Sequence, residues 1–570
     1  TRPERKGQYY WSHQKGDVNR TGLSPHAAPR DLQRGPTWRW VDPHVDVISQ
    51  SPLIDDRLNI YINTRGGRVY KFSPDGDLLW MFRTSRGSIG TVPAIMDGRL
   101  YGNTRSGYVF ALDMETGALL WEVLVAPDNA TGGDSACLLA VNGTVVSAAE
   151  APDATGGNAA IIALDTEGRR RWTFRLQGFK VYNFQASSPG DGTILFQDSA
   201  GGVYRVRLDS GELLWESGIR DRLPNYFTTG AAVVGPNGVV YAASNTISTG
   251  IIHAYRLDDG SLIWRRDIEF FANQAVAVGP IAGSGGRLAV VAGVGENPGL
   301  APIIGLTSVS MPLACACALA HVLLRQICGR CCGCCLRLSW ILPMLVPLGV
   351  IAYMYVTDTS GNEMQIVKPF VVNAMKFAIL LLLFLQTLLK WRWWFKGPCR
   401  PLRLVLLAAV AAGGVWGIVL AIHSLSLLSK GWPEWFWHTK ELPSRLMAFD
   451  AETGRTLWEF SPPLFRRSSC TGDEELYLTR MRNLAKDNVG DPICLPDSWS
   501  QSVIDSRGTS FVGFMDGHLY AVRDEDGDGK IAPSEAVSID FGNAFQGTQA
   551  IAPGMLVVVP CGGGMHVWKE

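Results

Sequence analysis

The sequence predicts an all-β fold, an eight-bladed β-propeller whose sixth blade carries an inserted α-helical transmembrane segment of about four helices. Three observations carry this expectation. A phrase ending in Trp recurs along the chain, the spacing of those Trp residues matches one propeller blade, and one block of long uncharged runs interrupts the spacing.

The phrase appears as Val69–Trp80, Val109–Trp121, Ile161–Trp172, Val203–Trp215, Ile252–Trp264 and Leu446–Trp458, with degenerate copies from Leu519 and Met565. An alternating apolar run predicts a half-buried strand. The Asp-x-x-Gly stretch then predicts a tight turn, because Gly adopts φ > 0 without a Cβ clash. A second short strand ends in Trp, whose large ring can pack on the neighbouring unit. Another strand pair precedes each copy, so a unit has about four strands, the size of a blade. The first five Trp residues are spaced by 41, 51, 43 and 49 residues.

The gap from Trp264 to Trp458 is 194 residues, far beyond one blade. Removing the block between them leaves a chain that divides into eight units of roughly 54 residues. Residues 1–300 are therefore assigned to blades one to five, the start of six and an N-terminal closing strand near Pro36–Asp42. Residues 301–440 are the insertion, and 441–570 complete blade six and supply blades seven and eight. A strand from one chain end joining the blade made by the other removes the open edge.

Within the insertion, Ile303–Leu324, Leu338–Thr357, Pro369–Leu389 and Leu404–Ser429 each approach the roughly 20 apolar residues that cross a bilayer. Basic residues gather in the first loop (Arg325, Arg330, Arg337) and the third (Lys390, Arg392, Lys396, Arg400, Arg403). The positive-inside rule places those loops in the cytosol, stroma or matrix and the propeller on the extracytosolic side. An integral membrane protein is therefore expected, with an intron read through as protein or a fused gene model as the alternative source of the block. The chain opens on Thr1 without an apolar core, so a targeting segment is expected to have been removed, or the chain is a fragment.

Composition narrows the function classes. Lys+Arg and Asp+Glu both number 52, and this balance argues against a nucleic-acid partner. The hydrophobic fraction of 47% excludes a disordered chain. The 12 Cys are too sparse for a disulfide-built scaffold, and eight of them lie between Cys315 and Cys399.

Three groups of residues suggest chemistry. Asp524–Glu535 (DEDGDGKIAPSE) matches the twelve-residue calcium loop at every required position. Asp524, Asp526 and Asp528 would supply carboxylate oxygens, Lys530 a backbone carbonyl, and Glu535 a bidentate closure around structural Ca2+. An acidic surface turn without metal is the competing reading. Cys328, Cys331, Cys332, Cys334 and Cys335 beside a predicted span suit reversible palmitoylation, a metal pair at Cys328 and Cys331, or unmodified thiols. Cys470 and Cys494 flank a long loop of blade seven and are expected to form a disulfide in an exported compartment. Cys137 and Cys561 read as buried strand thiols.

The A-x-D-x-x-T-G-x-x-x-W repeat, as in Ala111–Trp121 and Ala448–Trp458, resembles the pyrroloquinoline-quinone (PQQ)-type, quinoprotein-like propeller repeat. The opening W-x4-G-x3-R-T-G from Trp11 to Gly22 is similar to that family's lead-in. A WD- or Kelch-type propeller is the alternative. The resemblance implies two functions. One is a non-catalytic platform that binds a partner protein, as in the outer-membrane assembly lipoprotein, here tethered to the membrane. The other is a membrane-bound PQQ-dependent dehydrogenase of alcohols or sugars. In dehydrogenases of the family the quinone lies on the propeller axis with calcium, a base Asp and often a disulfide between adjacent Cys. Here the adjacent Cys pairs fall in the insertion, and no Asp matches the base, so the non-enzymatic members are the closer match. A purely structural subunit of a larger membrane complex is a third reading.

Overall fold

In the computed structural model, residues 9–298 and 441–570 are described, apart from 30, 49–50, 127–135, 151–156, 219–227, 247–248, 468, 488–489 and 563. The chain divides into two compact units, 1–298 with 440–570, and 299–439. The first unit is a closed ring of eight blades. Seven blades are four-stranded sheets, and blade four has three strands plus a bridge from Ser187 to Leu195. Blade one shows the plan: Leu53–Ile54, Ile60–Asn63, Arg68–Phe72 and Leu78–Arg83 pair in chain order, each antiparallel to the last. The first strand is buried and the fourth is largely exposed, so the sheet runs from the axis to the rim.

The ring closes through a mixed blade. Trp38–Trp40 pairs antiparallel with Met565–Lys569 and adds an N-terminal outer strand to three C-terminal ones. No open edge is then left between first and last blades.

The Trp of the repeat joins blade to blade. Its indole N–H donates to a backbone carbonyl in the next blade's turn at five junctions, and Trp38 of the N-terminal outer strand does the same at a sixth. The pairs are Trp38 to Pro74 (2.9 Å), Trp80 to Met114 (3.1 Å) and Trp121 to Thr166 (2.8 Å). They continue as Trp172 to Leu208 (2.8 Å), Trp215 to Leu257 (2.8 Å) and Trp264 to Ala451 (2.9 Å). The turn glycine lets the ring approach. Gly117 has φ +72°, and a Cβ there would lie 2.6 Å from Trp80. One short phrase thus builds a strand, a turn and an inter-blade contact.

The four-helix insertion and the integral-membrane location require correction. Among the described residues there is one α-helix, α1 (Asp473–Asp487), and none is long and apolar enough to cross a membrane. Charged residues recur throughout α1, so it has no apolar length to offer a bilayer. The expected spans, and Cys328, Cys331, Cys332, Cys334 and Cys335, lie outside the described residues.

Candidate functional site

Quinoprotein-like chemistry would sit on the axis, so the residues there decide what the ring can do. Two segments fill it. The first is residues 11–24, which visit the inner strand of every blade in chain order. Trp11 exchanges backbone hydrogen bonds with Ile54 of blade one, both 2.9 Å. Ser12 O accepts from Ile95 of blade two, and His13 Nε2 accepts from the Ala140 N–H of blade three. The carbonyls of Val18, Asn19 and Thr21 accept from Ser188, Val234 and Val278 of blades four, five and six. Gly22 O accepts from Ile504 of blade seven, and Ser24 Oγ donates to Ile551 O of blade eight.

Two cations from this circuit are fully buried. The Arg20 guanidinium donates to Leu138 O (2.7 Å), Gln14 O (3.2 Å) and Ala186 O, tying blades three and four. Lys15 Nζ donates to Val276 O and to Ala275 O of blade six. Burial, then the Arg20 charge, pushes Lys15 down to about 7. Burial likewise pushes the nearby Cys137 thiol up to about 11, so it is a protonated core group rather than a nucleophile.

The second segment is α1 and the loop after it, which cover the opposite mouth. They meet the turns between second and third strands and the connections into inner strands. The residues after Ser24 run instead to the first turn of blade seven, where Ser506 N–H bonds His26 O. Asp491 is the centre of the cap. It is buried and accepts from Arg65 of blade one and from Arg105 of blade two at 3.1 Å. Burial opposes its charge, but Arg105 and Arg65 outweigh that and hold it below the usual carboxylate range. Asp497 accepts from Asn273 (3.0 Å), Gln274 and Asn297 of blade six. Among the described residues, the side-chain amides of Gln185, Gln501 and Gln549 are buried without a hydrogen-bond partner.

The expected Cys470–Cys494 disulfide is corrected. Cys494 bonds to Cys561 with a Cα separation of 5.9 Å, and Cys470 is a buried free thiol. Asp473 explains the arrangement. Its carboxylate accepts from the N–H groups of Cys494 (2.7 Å) and Leu495 (2.9 Å), from Arg480 (3.1 Å) and from the Cys470 thiol (3.1 Å). Cys470 is thereby held on Asp473 while Cys494 meets blade eight, so Cys561 is not the free strand thiol its position suggested. Replacing Cys494 and Cys561 with Ser should lower stability by about 4 kcal/mol, the scale for opening a 67-residue loop. Comparing denaturation midpoints of oxidised parent and variant checks this.

The acidic loop lies at the rim, away from both plugs. Asp524, Asp526 and Asp528 each bring one carboxylate oxygen within 4.8 Å of the others. Asp524 accepts from the N–H groups of Gly527 (2.8 Å) and Gly529 (3.2 Å). Lys530 donates its N–H to Asp528 (2.7 Å) and bridges Glu459 of blade six. Glu535 is apart from the trio, accepting from the N–H groups of Glu525 (2.6 Å) and Ala532 (2.8 Å).

The axial residues do not fit a bound quinone polycarboxylate. Such a ligand needs cationic donors facing an open slot. Here Arg20 and Lys15 are committed to carbonyls, and Arg65 and Arg105 to Asp491. Among the described residues the disulfide joins Cys residues 67 apart, not adjacent ones.

Residues 65–249, blade one to blade five, match the family model described as outer membrane protein assembly factor BamB. The chain is 27% identical over 203 residues to a protein of that name from Moranella endobia, covering 34% of this chain. That match spans about half of the relative, 47% of its length. Among solved structures, a europium-containing methanol dehydrogenase superposes with TM-score 0.55 and 12% identity over 99% of each chain. A quinohemoprotein alcohol dehydrogenase from Pseudomonas putida HK5 reaches 0.54 at 11% identity over 99% of this chain and 80% of its own. The chain is thus similar in fold to these two dehydrogenases, alcohol-oxidising by name, and, across blades one to five, similar in sequence to the outer membrane protein assembly factor BamB.

Proposed function

We propose that this chain is a non-catalytic propeller platform that binds a partner protein within an assembly complex. The observation that carries the reading is the axis itself. Both ends are closed by the chain's own residues, and among the described residues Lys15, Arg20, Arg65 and Arg105 are already engaged. The sequence likeness to an assembly factor over blades one to five supports the same reading. A sealed ring offers its loops and rim, and function then lives in those surfaces.

The rim offers apolar pairs on unpaired strand edges. Leu78 and Leu79, Leu119 and Leu120, Leu213 and Leu214, and Leu262 and Ile263 are all exposed on the outermost strands. Edge strands with exposed apolar residues are ready acceptors of an added strand or an apolar partner face. The test is native purification of the full chain. One protein should co-elute at fixed stoichiometry, and a Leu119→Asp/Leu120→Asp variant with unchanged circular dichroism should bind it at least ~10-fold more weakly. A chain that elutes alone, or a variant with unchanged affinity, would count against the rim as the docking surface.

A further inference from the structure

The calcium-type loop and one buried indole point to the same junction, independently of the platform reading. Six outer-strand Trp residues donate to a carbonyl in the next blade's turn, but Trp458 of blade six does not. It is 2% exposed, and its Nε1 has no acceptor among the described residues. The acceptor lies just after the third strand in the other junctions. In blade seven that position falls at Arg523–Asp524, where the acidic loop begins. A buried donor left unsatisfied is costly, so the geometry of this junction is incomplete as it stands.

The loop is positioned to complete it. Gly529 lies against Leu457 O, Lys530 bridges Glu459, and Gly527 and Asp524 rest on Gly283, so the loop touches blade six on both sides of Trp458. Three carboxylates converge there, while Glu535 in the twelfth position is parked on two loop amides. Closure of such a loop on a calcium ion requires the twelfth carboxylate to leave those amides and join the ion.

We propose that Asp524, Asp526, Asp528, the Lys530 carbonyl and Glu535 bind one calcium ion, and that closure of the loop delivers a backbone carbonyl at Arg523–Asp524 to the Trp458 indole. The ion then supplies at the blade six–seven junction the contact that the turn alone supplies at six others.

The full chain should be stripped with chelator and titrated with calcium, with magnesium as control. One calcium per chain should bind, and the thermal midpoint should rise by about 3 °C at saturation. Asp526→Ala changes an exposed residue and should abolish both effects. Trp458→Phe should still bind one calcium but lose most of the rise. No binding up to about 1 mM calcium, the weak end of known sites, would overturn the site. A full midpoint rise in Trp458→Phe would overturn the coupling.

Discussion

Replacing Arg20 with alanine should destabilise the ring by about 3 kcal/mol. The guanidinium is fully buried and bridges carbonyls of two blades and of its own segment. Each buried carbonyl left unpaired costs roughly 1–3 kcal/mol, and the vacated volume adds a cavity term. Releasing a charge whose burial is itself unfavourable offsets part of this, since desolvation lowers the Arg20 pKa. Arg20→Met separates the terms. It keeps most of the volume and removes the donors, so it should fall between parent and alanine. Denaturant midpoints of the three proteins check the order. If Arg20→Ala matches the parent, residues 11–24 do not brace the ring.

The second large effect is expected at Asp491. Asp491→Ala leaves Arg65 and Arg105 facing each other in a buried cap without their anion. Breaking a buried pair in this way costs about 3–5 kcal/mol, because uncompensated charge stays inside. The same group predicts acid sensitivity. Its folded pKa lies below the unfolded carboxylate value of roughly 3.9, so its contribution is present above that pH. The contribution is lost as pH falls through the folded value. The parent should lose stability on acidification below about pH 4, and Asp491→Asn should flatten that part of the profile. A parallel profile in parent and variant would remove Asp491 from the cap's energetics.

The blade was legible because its determinants are local. Strand alternation, the Asp-Gly turn and the terminal Trp all fall within a dozen residues, and Trp80 to Trp264 recur at blade spacing. The eight-bladed ring follows from that repetition. The twelve-residue acidic loop was legible for the same reason, and its three aspartates do converge. The axis was not legible. Trp11–Gly22 carried a family resemblance, yet Arg20 finds its partners 118 and 166 residues away, and Ser24 its partner 527 away. Nothing in the local pattern encodes such contacts. Asp491 has no motif at all, since its arginines come from blades one and two, 426 and 386 residues upstream. The disulfide erred for a related reason. Cys470 and Cys494 share a loop, but Asp473 takes the Cys470 thiol and blade eight supplies Cys561. The helix inside that loop went unread because its polar residues set no clean apolar stripe. Uncharged length and the placement of basic loops suggested membrane spans, and among the described residues no helix supports them.

Titration of the purified full chain with pyrroloquinoline quinone in calcium-containing buffer tests the sealed axis most directly. Quinone absorbance after desalting reports binding, and dye reduction with alcohols or sugars reports turnover. The closed mouths and committed arginines predict quinone that washes away and no dye reduction. Stoichiometric quinone retained through desalting, with turnover, would mean that the cap opens and that the axis is a catalytic site.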